Sequence, residues 1–124
     1  MSKNVDYYFT PVSPYTYLGH DRFVAIARAR HATIAVKPID LGRVFPVSGG
    51  LPLRQRAPQR QAYRLVELKR WSSFLKVPLN PQPAHFPVPG DLAANGVLAM
   101  LEHGTQPALD FTGALARAIW AEDR

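Results

Sequence analysis

The chain has 124 residues, 47% of them hydrophobic and 19% charged, which fits one folded domain with an ordinary core and excludes an extended disordered chain. It contains no cysteine, which excludes disulfides, thiolate-ligated zinc and catalysis by a thiol of its own. The formal net charge of +6 is spread along the sequence, with one denser run from Arg54 to Arg70, and no aromatic stacking pattern or nucleic-acid motif accompanies it; attraction of small anions is the expected use, with no nucleic-acid partner.

The opening "MSKNVDYYF" has no apolar segment after its lysine, so no signal peptide is expected, and no run is long enough to cross a bilayer. Cytoplasmic residence without a membrane partner is the expected default. Val5, Tyr7 and Phe9 alternate with Asp6 and Tyr8, which predicts a strand over residues 5–9 that Pro11 ends. Ser13 before Pro14 pairs an N-cap with the favoured first helical residue. A helix is predicted from Pro14 to about Ala29, with Phe23, Ile26 and Ala27 toward the core. "TIAVKPI", residues 33–39, predicts a second strand, so the chain starts as a βαβ unit.

Residues 41–58 are expected to be irregular, since Pro46, Gly49, Gly50 and Pro52 interrupt them. A helix follows from about Gln59 to Leu75, with Leu65, Leu68, Ser72 and Leu75 in one stripe that Val66 widens. "VPLNPQPAHFPVPG" is a stiff, ordered loop. Asp91 is expected to cap a helix from Leu92 to His103 that Gly104 closes, and Ala93, Ala94 and Gly96 permit close packing. A last helix, about Leu109 to Ala121, carries Phe111, Leu115, Ala118 and Ile119. Two parallel strands make a poor sheet by themselves. Either more strands follow Arg124, or the open edge pairs with a second copy in a homodimer.

The stretch "TPVSPYTYLGH" stands where thiol–disulfide proteins carry their active-site loop, after a strand and before a helix. Such loops read Cys-Pro-Tyr-Cys; here the four positions are Ser13, Pro14, Tyr15 and Thr16. A helix N-terminus stabilises an anion, and a thiolate held there has a lowered pKa. Ser13 cannot be that thiolate, but its hydroxyl can donate to one brought by a thiol cofactor, in a charge-assisted bond worth about 1.5–3 kcal/mol. The same spacing suits a plain N-cap. No G-x-S-x-G elbow supports a hydrolase, and His20, His31, His85 and His103 lack metal-ligand spacing. "GRVFPVSGG" has neither Walker nor Rossmann spacing.

"YYFTPVSPYTYLGHDRF" resembles the N-terminal signature of the 2-hydroxychromene-2-carboxylate isomerases, relatives of kappa-class glutathione transferases and of the DsbA group. "KPIDLGRVFPVSGGLPL", "QRQAYRLVELKRWSSFL" and "VPLNPQPAHFPV" extend the resemblance along the whole chain. It implies an α/β, thioredoxin-like fold: residues 1–45 form the βαβ part, and residues 46–124 an inserted helical domain. In the family further sheet elements follow, so the sheet is expected to be incomplete here and the chain to read as a truncated member. The resemblance also implies glutathione as cofactor, held by Ser13, Pro14 and Tyr15, with Ser13 catalytic as the group that stabilises its thiolate. The substrate would be a small aromatic carboxylate, isomerised by reversible thiolate addition in aromatic hydrocarbon breakdown. The family often places an asparagine and a lysine after the second strand, where this chain has Gly49, Gly50, Arg54, Gln55 and Arg56. Arg54 and Arg56 can meet a carboxylate or simply stay solvated. The alternatives are a kappa-class-like glutathione transferase and a truncated, non-catalytic binding or assembly remnant. A disulfide oxidoreductase is excluded by the absent cysteines.

Overall fold

The computed structural model describes residues 2–124. β1 (Lys3–Phe9), α1 (Pro14–Ala29) and β2 (Ala32–Pro38) form the expected βαβ unit. The strands are parallel, with Val5 beside Ile34 and Tyr7 beside Val36. On the inward face of β1 Val5 and Tyr7 are half-buried and Phe9 is buried, while Asp6 and Tyr8 face outward as the alternation predicts. Both strands are longer toward the N-terminus than predicted, since Lys3 and Ala32 already pair.

The segment expected to be irregular contains a helix, α2 (Leu41–Ser48), and a single 3₁₀ turn at Leu53–Gln55. Pro46 sits inside α2 and removes one backbone donor, which a two-turn helix tolerates when both ends are secured. Asp40 secures the first end, its Oδ1 accepting from the Gly42 N–H at 2.8 Å. Gly49 secures the other, in the left-handed region at φ 78° where a side chain is unwelcome. Both end signals stand in the sequence, but Pro46 inside the helix and Gly50 and Pro52 just beyond it read as breakers.

α3 (Pro58–Leu75), α4 (Gly90–Leu101) and α5 (Thr105–Trp120) complete the fold. In α3 only Leu68 is fully buried; Leu65, Ser72 and Leu75 are half-buried and Val66 is 46% exposed, so the stripe is narrower than expected. α4 begins two residues before the predicted Leu92, with Pro89 at the N-cap and Asp91 in the first turn, where the helix dipole still favours an acid. It ends at Leu101, before the predicted His103, and Gly104 precedes α5 instead of closing α4. α5 starts four residues earlier than predicted because Pro107 falls in its first turn, where a missing N–H breaks no intrahelical bond.

The core joins Phe9, Ile34 and Val36 of the strands to Ala27 of α1, Val97 of α4 and Ala108 and Leu109 of α5. Ala27 is buried and Phe23 packs against this cluster as expected, but Ile26 is 54% exposed. Gly96 lets α4 approach α5 closely: a Cβ there would stand 2.7 Å from the Phe111 ring. On α5 Ile119 is buried as expected, whereas Leu115 and Ala118 are only half-buried. The largest fully buried side chain is Trp120, at the end of the helix and absent from the predicted core.

Candidate functional site at the N-terminus of α1

Residues 10–13 make a tight turn onto the first turn of α1. The Thr10 carbonyl accepts from the Ser13 N–H at 3.2 Å and from the Thr16 hydroxyl at 2.9 Å. Pro11 and Pro14 are buried, which anchors the turn on both sides of Ser13. Ser13 is the N-cap, with its Oγ accepting from the Tyr15 N–H at 3.2 Å. That bond uses the oxygen as acceptor and leaves the hydroxyl proton to donate elsewhere.

From the far end of the chain, Trp120 donates its indole N–H to the Val12 carbonyl at 3.2 Å. Phe86 of the proline-rich loop lies against the Trp120 ring with centroids 5.0 Å apart, and the Asn80 N–H donates to the Trp120 carbonyl. The residue before Ser13 is thereby tied to the last helix and to the proline-rich loop.

Around this point lies a cleft of about 380 Å³ that Ser13, Pro14 and Tyr15 all line. Its apolar wall includes Val12, Ile39, Phe45, Leu53 and Phe86, and Arg56, Arg64, Asp40 and Asp91 supply its charge. The structure thus brings the three sequence-predicted site residues and Arg56 to one cleft. Arg54 lies outside it, on the 3₁₀ turn. Arg64 was missed because it stood within a basic run that reads as a solvated helix face. The contacts of Trp120 were missed because no local pattern reports a partner 108 residues away.

The Tyr15 hydroxyl donates to Glu67 Oε2 of α3 at 2.7 Å. Burial, then the bond to Glu67 and its charge, push the Tyr15 hydroxyl up to about 12, against an opposite pull from Arg64 and Arg56. Behind the site, His20 is buried, with Nδ1 2.9 Å from the Tyr7 hydroxyl and Nε2 2.9 Å from the Leu109 carbonyl. A carbonyl only accepts, so Nε2 carries the hydrogen and Nδ1 accepts from Tyr7. His20 is therefore a strut linking β1, α1 and α5.

Tyr7 is also pushed up to about 12, first by burial and then by the charge of Asp21. Both groups move from an ordinary value of 10.0. Between 10 and 12 the unfolded chain releases these protons while the folded one keeps them. Stability contributed by these phenols is whole below the lower limit and falls as pH rises through the window. The denaturant midpoint should decline across it, and Tyr7→Phe should flatten the decline. A wild-type midpoint constant through the window would contradict this assignment.

The fold and the site define a thioredoxin-like α/β protein whose cleft opens at the N-terminus of the first helix. The chain belongs to the DsbA-like thioredoxin domain family, whose model matches residues 4–124. It is 26% identical over 121 residues to a 2-hydroxychromene-2-carboxylate isomerase of Sphingobium xenophagum, covering 97% of this chain and 60% of that protein. It is 34% identical over 76 residues to the enzyme of the same name from Pseudomonas putida, covering 60% of this chain and 37% of that one. A solved structure of a 2-hydroxychromene-2-carboxylate isomerase matches with a TM-score of 0.72 and 27% identity, over 97% of this chain and 57% of the other. The chain spans less than two thirds of the length of the relatives it matches. No helix among the described residues is long and apolar enough to cross a membrane.

Proposed function

We propose that the chain carries the thiol-binding site of a glutathione-dependent isomerase that acts on a small aromatic keto acid. One observation carries the reading. Ser13 lines the cleft at the N-terminus of α1, and its Oγ accepts from a backbone N–H, so its hydroxyl remains a donor in the place where a helix favours an anion.

Glutathione, when bound, supplies a thiolate that can add reversibly to a conjugated alkene, which permits rotation about that carbon–carbon bond without any net redox change. The chain's own part is positional. Ser13 donates to the sulfur, and the turn at Thr10 holds Ser13 in place. Tyr15 is clamped to Glu67, which fixes α3 against the mouth of the cleft. The apolar wall excludes water from the reacting carbons and stacks on a planar ring. The relatives named 2-hydroxychromene-2-carboxylate isomerase favour this substrate class over others that a thiol site can serve.

Calorimetry with glutathione and with S-methylglutathione tests the reading. The free thiol should bind measurably and tighter than the thioether, which cannot carry the charge that the helix and Ser13 favour. Equal affinities, or no binding of glutathione, would contradict it.

A further inference from the structure

We propose that Arg64, assisted by Arg56, is the seat for the carboxylate of the organic acid in this cleft. The inference rests on the reading of the cleft as a site shared by a thiol and an organic acid, and it names the residue that selects the second of them.

Arg64 is half-buried and lines the cleft together with Ser13. Its guanidinium stands 6.0 Å above the ring of Trp120, the residue whose indole N–H holds the Val12 carbonyl beside Ser13. A cation over an aromatic face has its stem and one side fixed, with its outer N–H groups left to meet a ligand. Burial lowers its pKa; Tyr15 pulls the other way, and Arg56 nearby adds repulsion in the same direction as burial. Two cations brought together in this way are poorly compensated by the protein itself. The ion pairs among the described residues are Lys37 with Asp6 and Arg124 with Glu122, so neither Arg56 nor Arg64 has a carboxylate within salt-bridge reach.

The acidic residues of the cleft do not pair with these arginines. Asp40 caps α2 through Gly42, and Asp91, in the first turn of α4, makes no ion pair with either of them. Glu67, one turn beyond Arg64 on α3, is engaged by the Tyr15 hydroxyl. Arg56 donates Nε–H to the Leu51 carbonyl at 2.9 Å, which orients it and leaves its terminal nitrogens free of that bond. A desolvated guanidinium without a carboxylate partner is costly unless a ligand supplies one. Phe86 beside Arg64 decides which ligand, because it lines the cleft, backed by the buried Trp120, and offers flat apolar surface to a ring attached to that carboxylate. Glutathione also has carboxylates, but it has no ring for this wall.

The test uses the chain with trans-cinnamate, its neutral analogue cinnamamide, and glutathione, each measured by calorimetry. Arg64→Met keeps apolar cover on Trp120 and removes the charge, and Arg64→Lys keeps the charge without the planar fork. Arg64→Met should weaken cinnamate about tenfold to a hundredfold, as expected for losing a charge-assisted bond. Arg64→Lys should fall between the two, with cinnamamide and glutathione unchanged in both variants. Cinnamate binding that is absent in wild type, or unaffected by Arg64→Met, overturns the proposal. A loss confined to glutathione overturns it as well, since the carboxylate held would then be the cofactor's. If the wild-type chain binds cinnamate through Arg64 and does not bind glutathione, the carboxylate seat stands and the thiol reading falls.

Discussion

Trp120→Ala is expected to destabilise the chain by about 3–5 kcal/mol, the range for deleting a large buried aromatic side chain. Trp120 is fully buried, yet it lies at the last position of α5, where frayed helix ends are common. It is ordered by what it touches: Phe86 on one side, the Asn80 N–H on its carbonyl and the Val12 carbonyl on its indole. Trp120→Phe separates the contributions, because it keeps most of the apolar volume and removes the indole donor. That variant should lose about 1–3 kcal/mol, the range for leaving a buried acceptor unsatisfied. Denaturant midpoints of the three proteins measure both effects. An unchanged midpoint for Trp120→Ala would show that the proline-rich loop and the turn before Ser13 are held by something else.

The N-terminal βαβ unit was legible because its signals are local. Val5, Tyr7 and Phe9 alternate at the period of a strand, and Ser13-Pro14 announces a helix start, so α1 runs over the residues expected of it. α2 was not legible because Pro46, Gly50 and Pro52 argue against a helix one residue at a time, whereas Asp40 and Gly49 stabilise it from its ends. Ile26 and Val66 show a different limit: periodicity identifies an apolar face but not whether another element covers it. The fold class could be read early, while the walls of the cleft could not. Arg64 and Phe86 line the cleft from separate segments, and only packing brings them, with the buried Trp120 behind them, to the turn that holds Ser13.

Ser13→Ala is expected to change chemistry far more than stability. Losing the N-cap bond to the Tyr15 N–H should cost about 1 kcal/mol, because Pro14 and the anchored turn still define the start of α1. Losing the hydroxyl donor should remove about 1.5–3 kcal/mol from a thiolate held at the helix N-terminus. With 1.36 kcal/mol per unit, that raises the thiol pKa by about one to two units. Ser13→Cys fits the same position and should place a thiol with a lowered pKa at the helix N-terminus.

The most direct measurement is an ultraviolet thiolate titration of glutathione bound to the wild-type chain and to Ser13→Ala. The account predicts a depressed thiol pKa in the wild-type complex and a pKa higher by about one to two units in the variant. Measurable binding with the same thiol pKa in both proteins would contradict it and leave Ser13 as a helix cap alone.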